Sequence, residues 1–149
     1  MTQIVIHVLA LLGALLSVQE APTTVVNPRT RFTTIEVFVD PHDQPLAAYQ
    51  LEFIADPARV TLVGIEGGEH PAYAQPPYYD PKALSGNRVI LAALSTATDL
   101  PRSRTRVATL HLRVTGGDTE PTYEAKLEVA GNPQGKPIAA DVTVGQGAK

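Results

Sequence analysis

The chain has 149 residues, a formal net charge of -3, no cysteine and no tryptophan. That length suits one domain, and the missing cysteines exclude disulfides, thiolate metal sites and cysteine nucleophiles. Acidic and basic residues are scattered rather than blocked, so neither a nucleic acid nor an anionic membrane surface is an expected partner.

Ile4 to Val18 is an unbroken apolar stretch interrupted only by His7, Gly13 and Ser17. At about fifteen residues it matches the core of a signal peptide better than the ~20 that span a bilayer. Residues 1-21 are therefore read as a signal peptide, with an uncleaved N-terminal anchor as the competing reading. Either places the remainder outside the cytoplasm, in an extracellular, periplasmic or cell-envelope location. Residues 22-32, with Pro22, Pro28 and several threonines, oppose helix and read as an extended linker.

From residue 33 the apolar pattern has period two, the repeat of a strand whose faces differ. Ile35, Val37 and Val39 alternate with Glu36, Phe38 and Asp40, and after a Pro41–Pro45 turn Tyr49, Leu51 and Phe53 alternate with Gln50 and Glu52. Asp56-Pro57 breaks the chain. Val60 to Ile65 is a third run, closed by Gly67-Gly68. Arg88 to Leu94 is almost continuously apolar, which predicts a strand at the centre of a sandwich. In Arg104 to Val114, Ala108, Leu110, Leu112 and Val114 share one face; Tyr123, Ala125, Leu127 and Val129 do the same against Glu124, Lys126 and Glu128. A last strand covers Ala140 to Val144. Seven short strands with 13 prolines and 11 glycines between and around them, and no amphipathic helix, predict an all-β antiparallel sandwich over residues 33-146. Gly67-Gly68 and Gly116-Gly117 fit hairpin or corner connections.

Three segments carry a family resemblance. Leu46 to Pro57, ending at its Asp-Pro corner, Val60 to Gly68, with its glycine turn, and Thr105 to Val114 resemble successive strands of the cohesin family in their order and spacing. The likeness runs from about Thr33 to Val144. It implies a jelly-roll, cohesin-like sandwich, a fold shared with carbohydrate-binding modules, and an exported protein as partner, one that bears a dockerin. Polysaccharide is the alternative ligand, and a structural component of the cell envelope is the remaining alternative. The chain departs from the family as a lone domain with a long Glu69 to Ser85 connection.

That connection is the most unusual stretch. His70, Tyr73, Tyr78 and Tyr79 lie among its prolines, and tyrosine supplies contact area plus a hydroxyl at low entropic cost. These four are the candidate binding residues; the competing reading is that the rings plug one end of the sandwich. No G-x-S-x-G elbow accompanies Ser85, His70 and Asp80, the four histidines lack zinc-ligand spacing, and Glu66 and Glu69 merely flank a glycine turn. No catalytic residue, cofactor or metal ligand is assigned, and the chain is read as a non-enzyme. Aspartates near strand ends leave calcium conceivable without an EF-hand pattern. Arg102, Arg104 and Arg106 form a small basic cluster at a strand entry.

Overall fold

The computed structural model describes residues 29–147; the signal-peptide segment and all but the end of the linker lie outside the described residues. Seven strands follow one another, joined by irregular chain and two single 3-10 turns: β1 (Thr30–Asp40), β2 (Ala48–Ala55), β3 (Val60–Gly67), β4 (Arg88–Leu94), β5 (Thr105–Thr115), β6 (Tyr123–Gly131) and β7 (Asp141–Gln146). Strand β1 starts at Thr30, so the folded body reaches into the segment read as linker. All pairings are antiparallel, in a four-stranded sheet of order β3-β5-β1-β7 and a three-stranded sheet of order β4-β2-β6.

The alternation becomes a core because side chains two apart share a face of the pleat. Ile35, Val37 and Val39 of β1 meet Tyr49, Leu51 and Phe53 of β2 across the sandwich, with Leu62, Leu91, Leu110 and Leu112 between the sheets. All are almost fully removed from solvent. Phe53 also stacks on Tyr123, ring centroids 6.2 Å apart.

Odd-numbered strands form one sheet and even-numbered strands the other, so every connection crosses the sandwich. The glycine and proline turns are accordingly corners, not hairpins. His42 and Asp43, at the β1–β2 corner, take positive φ of 48° and 65°.

Two expectations need correction. Strand β4 is an edge, not a centre: its neighbours are β2 on one side and, on the other, an isolated bridge from Tyr78 to Ala92. It is apolar on both faces because Val89 and Leu91 fill the core while Ile90 and Leu94 face outward. In β6, Glu128 is an extra residue where the register shifts between Gln50 and Leu51. Such a bulge reverses the faces beyond it. Val129 therefore points outward and Ala130 inward, the opposite of the alternation read from Tyr123 onward. A like shift at Val63 turns Val63 out and Ile65 in.

Candidate functional site

The long connection between β3 and β4 sorts its own side chains. Gly68 N–H donates to Tyr73 O at 2.7 Å, and His70 Nδ1 accepts from Ala72 N–H at 3.2 Å, capping the 3-10 turn Pro71–Tyr73. The other ring nitrogen of His70 lies 3.9 Å from Asp99 Oδ2. Tyr73 is 3% exposed. Its hydroxyl donates to Leu46 O at 2.8 Å, and its ring meets Tyr49 edge-on at 5.3 Å. Burial pushes both phenols well above the ordinary tyrosine range, with Tyr73 adding to the effect on Tyr49. Tyr79 is half-buried against the core. Tyr78 turns the other way. Its N–H donates to Ala92 O at 2.7 Å and its carbonyl accepts from Ala92 N–H at 3.0 Å, extending the three-stranded sheet by one residue. Of the four candidates, Tyr73 and Tyr79 thus line the interior, His70 shapes the turn, and Tyr78 stands on an open face.

That face is the outer side of the three-stranded sheet. Residues paired across antiparallel strands project to the same side, so the registers lay it out in rows. One row runs Tyr78, Ala92, Gln50, Val129; the next toward the β1–β2 corner is Leu94, Ala48, Gly131. In the opposite direction come Ile90, Glu52, Lys126 and then Arg88, Ile54, Glu124. Tyr78 is 79% exposed, Ile90 46%, Leu94 70% and Val129 51%. These are four of the six large apolar side chains that are exposed among the described residues; the other two, Phe32 and Val63, line a depression on the opposite sheet. Glu52 is ion-paired with Arg88, and Lys126 with Glu128 at 2.7 Å. The hydrogen bond that Lys126 donates to Glu128, then the charge of that carboxylate, raises the Lys126 pKa above its usual value.

Polar groups elsewhere are committed to local structure. Asp40, Asp56 and Asp80 accept from the N–H two residues on, at 3.0, 2.9 and 2.9 Å, which is why aspartates gather at strand ends. No hydrogen bond or ion pair joins His70, Asp80 and Ser85, and among the described residues no three His, Asp or Glu side chains converge as metal ligands. Arg104 lies over the Phe38 ring at 3.7 Å, Arg106 donates to Thr109 Oγ1 at 2.6 Å and Arg102 to Asp43 O at 3.1 Å; the basic cluster is spread over three separate contacts. His111 Nε2 lies 3.1 Å from Glu66 Oε1, an ion-pair distance without hydrogen-bond alignment.

Sequence reasoning missed Ile90, Leu94 and Val129. The available signal was in β4, where apolar residues occupy both period-two phases next to a partner strand, β2, whose outer positions are Gln50 and Glu52.

No family model matches the chain, and no curated protein matches it. A solved structure does. A chain of the crystal structure of a complex between a CaDoc0917 variant and CaCohA2, at pH 5.5, superposes with a TM-score of 0.55 at 10% identity, covering 73% of this chain and 82% of that one. The fold is a cohesin-like β-sandwich. At that identity the likeness concerns architecture. The cohesin-like core spans both sheets, and Tyr78 extends its three-stranded side.

Proposed function

We propose that this chain is an exported, non-catalytic binding module that holds another protein on the outer face of β4-β2-β6. The observation that carries the reading is the gathering of Tyr78, Ile90, Leu94 and Val129 on that one face. Exposed apolar residues gathered on one face, with charged residues along one side of them, are the mark of a protein interface. The cohesin-like fold supports the same reading, because the similar structure belongs to a cohesin–dockerin complex; a dockerin-bearing protein is the partner proposed here. Polysaccharide is the weaker fit. Sugar stacking needs several rings in one plane, and on this face Tyr78 stands alone.

The scale is consistent with a face supplemented by loops. Three strands ~4.8 Å apart and seven residues at ~3.4 Å give about 340 Å² in plan, less than half of the ~800 Å² each partner contributes to a stable interface.

The test is a capture experiment with residues 22–149 as bait against secreted and envelope proteins of the source organism, with and without a calcium chelator. Recovery of a dockerin-bearing protein, lost on chelation because a dockerin folds around calcium, is the expected outcome. Well-folded bait that returns no protein contradicts the proposal.

A further inference from the structure

Charge is confined to one half of the outer face. Glu52, Arg88, Glu124 and Lys126 belong to the rows of Ile90 and Ile54, and the bulged Glu128, unpaired between the two halves, turns its carboxylate to Lys126 at 2.7 Å. The rows of Tyr78 and Leu94 hold no carboxylate, ammonium, guanidinium or imidazole. Two depressions open at this uncharged end, and Leu94 lines both. The larger, about 430 Å³, lies toward β6, with Ala48, Val129, Pro133 and Pro137 among its walls. The smaller, about 280 Å³, lies on the other side of β4, against Pro76, Pro77 and Tyr78.

Neither depression is lined by Asp, Glu, Lys, Arg or His. Three other surface depressions of similar size each include charged side chains, such as Arg31, Lys82 and Glu69. Of the three polar side chains at the larger one, Ser95, Thr96 and Asn132, two are engaged locally: Ser95 Oγ accepts from Ala97 N–H at 3.3 Å, and Asn132 Oδ1 accepts from Gln134 and Lys136 N–H at 3.0 Å. The prolines offer no N–H. A charged group entering either space would lose hydration and meet no counter-charge. An apolar side chain loses nothing there and removes exposed apolar surface from water.

We infer that the partner anchors itself at this end with two uncharged apolar side chains that straddle Leu94, one in each depression. This rests on the reading of the face as a protein-binding surface, and it assigns the charged side chains around Ile90, not Ile90 itself, to encounter and orientation rather than to affinity. Apolar anchors in dry pockets carry most of the affinity of such interfaces.

A random dodecapeptide library displayed on phage and selected against residues 22–149 tests the inference directly. Enriched peptides should carry a pair of uncharged apolar residues, and their affinity should change less than about threefold between low and high salt. Leu94→Asp, and Ala48→Leu, which fills the larger depression, should each weaken binding about tenfold or more. Phe32→Asp, on the opposite sheet, should leave it within about twofold. Leu94 and Phe32 are solvent-facing, and circular dichroism and thermal melting of each variant verify folding. Peptides selected for charged anchors, or binding that survives Leu94→Asp and Ala48→Leu but falls with Ile90→Asp, overturn the two-anchor inference while leaving the face intact. Peptides indifferent to Leu94, Ala48 and Ile90 alike, or a library that yields none, overturn inference and face together. Sedimentation showing that the chain dimerises, and that Leu94→Asp abolishes the dimer, assigns the depressions to a second copy and also overturns it.

Discussion

Tyr73 and Tyr78 lie five positions apart in one loop and have opposite fates. Each is a phenol on an extended or turn backbone beside prolines, and nothing local separates them. What separates them is the partner each finds. Tyr73 reaches a carbonyl, Leu46 O, and the edge of Tyr49; Tyr78 finds only the backbone of Ala92. A buried hydroxyl must be satisfied, so Tyr73→Phe, which orphans Leu46 O, should cost about 1–3 kcal/mol in urea unfolding. The same burial gives stability a pH dependence. Tyr49 and Tyr73 stay protonated in the fold above their ordinary value of 10.0, whereas the unfolded chain releases both protons near that pH. The contribution is therefore complete below pH 10 and is lost as pH rises beyond it, by about 1.4 kcal/mol per pH unit for each phenol still protonated in the fold. Urea titrations from neutral to strongly alkaline pH should show this decline, with a shallower slope in Tyr73→Phe. An unchanged slope would show that Tyr73 is not shielded from water.

Elements rather than residues decide which surfaces are free. Strand β3 ends where the following loop passes close to β5, and a Cβ on Gly68 would collide with Arg106 O and with Val107 Cα. Gly64, in the same strand, would place a Cβ 3.6 Å from the His111 side chain, an ordinary contact. Gly68→Ala should therefore lower stability by about 2–3 kcal/mol and Gly64→Ala by less than about 1 kcal/mol, read from thermal unfolding. Equal effects would show that the loop does not hold Gly68 against β5. The strands themselves were legible: β1, β2, β5 and β6 coincide with period-two runs, because a sheet with one dry face imposes that repeat, while β3 matches the run Val60 to Ile65, β4 a continuous apolar run and β7 the short run Ala140 to Val144. The inward faces of β1, β2 and β5 were legible for the same reason. Bulges were not. One extra residue at Glu128 reverses Val129 and Ala130, and it depends on how β6 pairs with β2, which period two does not encode. The edge position of β4 was equally hidden, since an apolar outer face looks in sequence like a second buried one.

At the scale of the molecule, the crossing of every connection gives the two ends of the sandwich different roles. Arg29 bonds to Gly116 at the end where β1 begins, and Gly147 bonds to Thr34 nearby, so both described chain ends leave from one side. Leu94, Ala48 and Gly131 lie at the other end, beyond the β1–β2 corner. The uncharged depressions thus lie at the end of the sandwich away from the described chain ends. The resemblance in sequence pointed to this sandwich, and the superposed structure has the same architecture; the face was not legible, because it is assembled from Tyr78, Ile90, Leu94 and Val129, drawn from three separate segments.

The most direct test of the central claim compares capture by three baits: residues 22–149 unchanged, with Ile90→Asp, and with Phe32→Asp. Ile90 and Phe32 are both exposed but lie on opposite sheets, so both variants should fold, which circular dichroism verifies, and only one alters the proposed face. The account predicts that Ile90→Asp reduces recovery of the captured protein about tenfold or more, while Phe32→Asp recovers as much as the unchanged chain. Loss with Phe32→Asp and full recovery with Ile90→Asp would contradict it and move the binding surface to the four-stranded sheet.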